Sequence, residues 1–309
     1  MKTAFLFPGQ GSQYVGMGKD LYDGFEEVKD LYGQAARVLG YDVAKLSFEG
    51  PAEELGRTMR TQPCLLAAGH AAFTVLASRG VKPDVVAGHS LGEYTAAVAA
   101  GVLSFTSALR ITEFRGKLMQ EAVPEGRGLM AAVLGLPRES VVSVCRAVKS
   151  GYVEAANFNC PGQIVISGER AAVEEAMSLA KEAGAKRAIP LQVSVPSHSK
   201  LMQKAAERLA EFLFLEAEIG DPAIPLISNA DAIFLSRSEG VKAALVRQLS
   251  NPVLWEDCLK VIHSSGVDTF IEVGPGKVLS GLVRKTVPDA RIFNVEDRAS
   301  LEKTLEGLS

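Results

Sequence analysis

At 309 residues, with 47% hydrophobic and 22% charged side chains, the chain can bury either one large α/β core or a large domain carrying a smaller one. A net charge of -3 excludes a general binder of nucleic acid or of anionic membranes. Ala4-Phe5-Leu6-Phe7 is too short for the apolar core of a signal peptide, and no later stretch reaches the length of a membrane span, so the expected location is the cytoplasm.

Thr3-Ala4-Phe5-Leu6-Phe7 predicts a first strand, followed by the loop Pro8-Gly9-Gln10-Gly11-Ser12-Gln13. Helical periodicity follows near 20–40 and 62–79. Val85-Val86-Ala87 reads as a short buried strand, and helices are expected at 92–100 and 105–121. After Pro124-Glu125-Gly126-Arg127-Gly128 the rhythm changes to strand 129–134, helix 137–149, strands 153–157 and 163–167, helix 170–183 and strand 186–191. That β-α-β-β-α-β succession is the split βαβ, ferredoxin-like arrangement. It predicts a small domain over 126–194, inserted into a large α/β domain made of 1–125 and 195–309. Helix 199–213, strand 224–228, helices 240–249 and 253–265, strand 268–273 and helix 277–286 complete the large domain. Alternation of strand and helix in it predicts a parallel sheet.

Gly88-His89-Ser90-Leu91-Gly92 matches the G-x-S-x-G nucleophile elbow. In a chain with 29 glycines the five letters alone also fit a small-residue turn in an ordinary βα unit. The strand before it and the helix after it are what an elbow needs: they hold the Ser90 hydroxyl above the sheet and aim helix N–H groups at a developing oxyanion. A serine hydroxyl is a poor nucleophile near neutral pH, so Ser90 needs a base, usually histidine. Of the four histidines, His70 lies in an apolar helical run and His263 near a helix end before Ser264-Ser265-Gly266, where it caps. His89 adjoins Ser90 and should diverge from it. His198 remains, in a proline-fixed loop after Val193-Ser194-Val195-Pro196-Ser197, where the chain returns to the large domain and can face a cleft.

A hydrolase triad would place Asp or Glu between Ser and His in the chain. Between Ser90 and His198 there is no aspartate, and the glutamates fall in helices, turns or the inserted domain. The group that orients His198 is then a backbone carbonyl or an amide, either of which can fix the tautomer. Cys64, Cys145, Cys160 and Cys258 lie far apart with no C-x-x-C pair, which fits a reducing compartment and argues against a disulfide frame or a zinc site.

Phe7-Pro8-Gly9-Gln10-Gly11-Ser12-Gln13, Gly88-His89-Ser90-Leu91-Gly92-Glu93-Tyr94, Arg115-Gly116-Lys117-Leu118-Met119-Gln120, Asn157-Phe158-Asn159-Cys160-Pro161-Gly162-Gln163, Pro196-Ser197-His198-Ser199, Gln248-Leu249-Ser250-Asn251-Pro252-Val253-Leu254-Trp255 and Glu272-Val273-Gly274-Pro275-Gly276 run in order over nearly the whole chain. Together they resemble the successive motifs of the malonyl-CoA:acyl carrier protein transacylase family of bacterial type II fatty acid synthesis. The resemblance implies a hydrolase-like large domain with a ferredoxin-like insert, a malonyl group carried on Ser90, and His198 as general base oriented by the main-chain carbonyl of Gln248. It also implies an oxyanion hole from the backbone N–H groups of Gln10 and Leu91, and a pocket shaped in part by Asn159. By its local sequence Arg115 is a solvated helix arginine. Within the motif it is expected to grip the free malonyl carboxylate through two hydrogen bonds, with Gly116 leaving space beside it.

On this resemblance the partners are acyl carrier protein and malonyl-CoA or CoA. No metal or other cofactor is called for, because the CoA thioester is itself a substrate, and the chain is taken as a monomer that binds neither nucleic acid nor membrane. Three competitors share some of these features. An esterase or thioesterase would pass the acyl group to water; a related acyltransferase would carry acetyl, methylmalonyl or longer units; a carrier-binding scaffold would do no chemistry. A role in polyketide synthesis, in place of fatty acid synthesis, stays open.

Overall fold

The computed structural model of the chain describes residues 2–124, 126–191, 195–216 and 218–308. Its strands are β1 (Thr3–Phe7), β2 (Val85–Gly88), β3 (Gly128–Leu134), β4 (Val153–Cys160), β5 (Gln163–Glu169), β6 (Arg187–Pro190), β7 (Leu226–Ile227), β8 (Phe234–Leu235), β9 (Thr269–Val273) and β10 (Arg291–Val295). They form two sheets.

The larger sheet has the order β10-β9-β1-β2-β7-β8 and is parallel except for β8, which runs antiparallel to β7. Every residue of β1 is buried, and its side chains alternate between two cores. Phe5 and Phe7 join Val86, Ile271 and Val273 on one face, while Ala4 and Leu6 join Ala87 and Phe270 on the other. A short, wholly buried and mostly apolar strand is what a parallel sheet covered by helices on both faces requires. The α/β class expected from the sequence is therefore the class observed.

The smaller sheet has the order β4-β5-β3-β6, with all neighbours antiparallel. β5 lies between β3 and β4 and opposes both, so those two are mutually parallel across the Arg138–Ala147 helix, which is the split βαβ order. One face buries Leu129, Ala131, Val133, Ile164 and Ile166 together with Val141 and Val173 from the two helices that cover it. The opposite face presents Met130, Asn157, Asn159 and Val165 to a cavity of about 490 Å³, whose other walls include the segments that follow β1 and β2, Arg115, His198 and Leu279. β4 is tied to the rest of the chain by two backbone bonds, Phe158 N–H to the Val253 carbonyl and Val253 N–H to the Ala156 carbonyl, each 2.9 Å.

The expected helix at 20–40 is two helices, Lys19–Gly24 and Glu26–Leu39, separated by Phe25 in extended conformation at φ -135° and ψ 125°. Helices Val43–Glu49 and Ala52–Gly56 occupy a stretch given no element from the sequence, since each is too short for its period to register. β8, β10 and the Arg298–Leu308 helix are further additions. In β10 only Val295 is buried, so the edge strand shows no alternation to read. Of the residues at the expected domain junctions, 125 and 192–194 lie outside the described residues. No helix of the described residues is long and apolar enough to cross a membrane.

Candidate active site

β1 and β2 are paired with Phe7 opposite Gly88, so the Pro8–Gln13 loop and the 88–92 turn leave the sheet side by side. The chain proceeds from β1 to β2 on one side, and β9 lies on the other, which makes this end of β1 a topological switch point where α/β sheets open a crevice. Glycine permits the closeness of the two loops. A Cβ on Gly9 would lie 2.3 Å from the His89 carbonyl oxygen, and one on Gly92 would lie 2.0 Å from that of Phe7. Ser90 has φ 52°, a left-handed conformation that costs a non-glycine residue energy and turns its side chain out of the sheet. Gln10 and Leu91 both line the cavity, and among the described residues neither of their backbone N–H groups donates a hydrogen bond.

His198 also has positive φ, 57°, and is buried. Its Nδ1 lies 2.7 Å from the carbonyl oxygen of Gln248. A carbonyl can only accept, so Nδ1 carries the proton and Nε2 presents its lone pair. Nε2 is 2.7 Å from Ser90 Oγ, so the serine O–H donates to the histidine. Burial, and then the charge of Arg115, holds His198 down to about 3, which keeps the imidazole neutral and able to accept a proton. The carboxylates after Ser90 that could have oriented it are engaged elsewhere: Asp221 with Ser238 and Arg237, Asp231 with Arg247, Asp257 with Arg138, Asp268 with Thr269, and Glu272 with Ser280.

The other histidines are held away from Ser90 Oγ. His70 stacks on Phe105 with ring centroids 4.7 Å apart, and burial lowers it to about 4. His263 Nδ1 bonds the Val267 carbonyl at 2.9 Å, beyond the end of its helix. His89 donates from Nε2 to Asn159 Oδ1 at 2.8 Å and meets the Trp255 ring edge-on at 5.4 Å. That bond fixes the Asn159 amide at the cavity wall.

Arg115 is buried on the Phe105–Ala122 helix. Its Nη1 donates to Gln62 Oε1 at 2.8 Å, and its Nη2 donates to Gln248 Oε1 at 2.9 Å and to Ser90 Oγ at 3.4 Å. The Tyr94 ring lies 5.4 Å from the guanidinium carbon, and Nε has no partner among the described residues. All of these partners are neutral. A buried guanidinium with no carboxylate in direct contact keeps hydrogen-bonding capacity for an arriving anion, and its planar fork suits a carboxylate.

The acyl transferase domain family matches residues 4–303. The chain is 49% identical over 310 residues to the malonyl CoA-acyl carrier protein transacylase of Haemophilus influenzae, covering 99% of each protein. It is 48% identical to the transacylase of the same name from Bacillus subtilis, covering 99% of this chain and 97% of that one. The chain belongs to the malonyl CoA-acyl carrier protein transacylase family. A malonyl-transacylase solved in complex with a type II PKS acyl-carrier protein superposes with a TM-score of 0.97 at 48% identity, over 99% of this chain and 100% of that one. An acyl carrier protein S-malonyltransferase from Vibrio cholerae superposes at 0.95 and 48% identity, over 98% and 100%.

For this member of the transacylase family, the structure corrects one reading and adds three residues. Gly116 does not serve to leave space beside the guanidinium. A Cβ there would lie 2.6 Å from Met59 Cα, so the glycine lets the Phe105–Ala122 helix pack closely on the Thr58–Ser78 helix. Gln62, Glu93 and Asn229 were not singled out from the sequence. Glu93 at least stood inside a quoted motif, whereas nothing local marks Gln62 or Asn229. Asn229 staples the elbow: Oδ1 accepts the Ser90 N–H at 2.7 Å, and Nδ2 donates to the Gly88 carbonyl at 2.7 Å. Asn229→Ala would leave both backbone groups buried and unpaired, at about 1–3 kcal/mol each. Denaturant unfolding should show a loss of about 2–4 kcal/mol, with acyl loading slowed in the folded fraction. An unchanged midpoint and rate would mean that the elbow holds its strain without this residue.

Proposed function

We propose that the chain transfers a malonyl group from malonyl-CoA to the phosphopantetheine thiol of an acyl carrier protein, through a malonyl-Ser90 intermediate. The observation that carries the proposal is one pocket in which a Ser90–His198 pair stands beside a buried arginine free of any carboxylate partner. The names of its relatives, and the carrier protein bound to one of them, support the same substrates.

The Arg115 guanidinium, turning from its glutamine partners, receives the malonyl carboxylate and sets the thioester carbonyl over Ser90. His198 Nε2 takes the serine proton as Oγ attacks, and the carbonyl oxygen becomes an oxyanion between the free N–H groups of Gln10 and Leu91. The imidazolium, steadied by the Gln248 carbonyl at Nδ1, then returns the proton to the departing CoA sulfur, and the C–S bond breaks. Malonyl-Ser90 remains. The carrier thiol enters by the same opening, gives its proton to His198 and attacks the ester, and Ser90 leaves with that proton. The cycle is ping-pong. It uses CoA and carrier thiols as acyl handles and calls for no further cofactor.

The same reading treats 126–194 as a small domain roofing the pocket of a large domain, 1–125 and 195–309. It takes the chain as a cytoplasmic monomer whose macromolecular partner is the carrier protein. Intact-mass measurement after mixing with malonyl-CoA or acetyl-CoA tests the chemistry. A malonyl adduct is expected in high yield and an acetyl adduct in trace. Hydrolysis of both without an adduct would favour a thioesterase, and acetyl loading equal to malonyl would remove Arg115 from its role.

A further inference from the structure

Glu93, the second residue of the Gly92–Ala99 helix, is completely buried. Its Oε2 accepts from Gln248 Nε2 at 2.7 Å and from the Asn229 backbone N–H at 3.3 Å, while Oε1 has no partner among the described residues. The same Gln248 side chain turns its other end to Arg115, whose Nη2 donates to Oε1 at 2.9 Å. One neutral amide thus stands between a buried carboxyl and a buried guanidinium. They form no direct ion pair, yet at this separation in a water-poor site each responds to the other's charge.

The charges in the pocket can then be counted. With Glu93 ionised, the empty site is neutral, because Arg115 stays protonated and His198 does not. A malonyl carboxylate added to that state leaves one net negative charge, and the attack of Ser90 does not relieve it, because the oxyanion and the His198 imidazolium form together and cancel. A proton on Glu93 removes the excess. It is also the less costly state for a carboxyl whose Oε1 is buried without a donor.

We infer that Glu93 is a positioning residue that balances Arg115 through the Gln248 amide, ionised in the empty pocket and protonated when the malonyl carboxylate binds, so that the choice of acyl group depends on pH. The inference rests on the reading of Arg115 as the carboxylate's partner. Burial pushes the Glu93 carboxyl up to about 7, against the Gln248 and Asn229 hydrogen bonds and the charge of Arg115. Two titratable neighbours are held in their neutral forms. Burial first of all pushes Tyr94, on its own helix, up to about 12, and Cys258, on the Trp255–Ser264 helix, well above its usual range. Asp231, beyond β7, is paired with Arg247 at 2.6 Å.

The test is the ratio of second-order loading constants for malonyl-CoA and acetyl-CoA between about pH 6 and 9. Ser90, His198 and the leaving CoA are common to both reactions and cancel in the ratio. The ratio should fall about tenfold or more as pH rises, because a like charge nearby shifts a carboxyl by a unit or more. In Glu93→Gln, which keeps the shape without the charge, the ratio should stay flat at its acid value. Should that variant fail to fold, calorimetry of malonyl-CoA binding to Ser90→Ala in two buffers of different protonation heat counts the protons directly. Uptake of a fraction of a proton near pH 8 is expected, and none overturns the inference. A flat wild-type ratio, with malonyl preference lost in Arg115→Ala, overturns the role of Glu93 and leaves Arg115 standing. A preference that survives Arg115→Ala overturns the reading beneath both.

Discussion

Ser90→Ala should abolish the malonyl adduct and lower transfer by several orders of magnitude, and His198→Ala should lower it nearly as far. The reason is the single proton path between them. Ser90 Oγ has His198 Nε2 at 2.7 Å as its acceptor, and that nitrogen is available only because the Gln248 carbonyl holds the proton on Nδ1. Groups that act as one unit are not additive, so the double variant should be little worse than either single one, with on the order of 10⁵ lost in each case. The residual rate would reflect binding and the free N–H groups of Gln10 and Leu91. Single-turnover loading with mass detection separates the outcomes. An adduct in Ser90→Ala would place the nucleophile elsewhere, and near-normal loading in His198→Ala would require another base. The same geometry predicts that Asp221, Asp231, Asp257, Asp268 and Glu272, each changed to its amide, leave loading within about tenfold, where loss of a triad acid would cost roughly 10⁴.

Arg115→Ala should lower the malonyl-CoA loading constant by on the order of 10²-fold, as expected for loss of a charge-assisted, two-pronged hydrogen bond. Acetyl-CoA loading should hold or rise. In the wild type an acetyl group leaves the guanidinium buried with neutral partners only, Gln62, Gln248 and Ser90, and that penalty disappears with the charge. Arg115→Lys should recover part of the loss, since a lysine ammonium reproduces the charge without the fork. The change in the malonyl-to-acetyl ratio decides the matter, because damage to the Ser90 machinery lowers both constants alike. A ratio unmoved by Arg115→Ala would make the residue structural, a brace between the Thr58–Ser78 helix and Gln248.

Local pattern sufficed wherever the physics is local. β1 and β2 are apolar because both of their faces are covered, and the turn between β2 and the Gly92–Ala99 helix needs its glycines, so Ser90 could be read from its neighbours. The split βαβ succession was legible because each of its strands and helices spans enough residues to show a period. Val43–Glu49 is too short, and β10 too little buried, to leave one.

His198 could be reached only by elimination, and the roles proposed for Arg115, Gln248, Gln10 and Leu91 only through a family resemblance. By its own sequence Arg115 belongs on a solvated helix; tertiary packing buries it, because Gly116 brings its helix down onto Met59. Asn229 and Glu93 show the limit most clearly. Ser90 is stapled by a side chain 139 positions away, and Gln248 joins Glu93 across 155 positions. Hydrogen bonds over such separations depend on how β7 and the Ser238–Ser250 helix settle beside the elbow, and no local period or propensity encodes that. The sequence by itself determined the class of fold, the turn that presents Ser90 and the absence of an aspartate between Ser90 and His198. The tertiary structure decided which polar groups meet in the pocket and which charges they leave unbalanced, because burial makes the cost of an unpaired group depend on its neighbours in space.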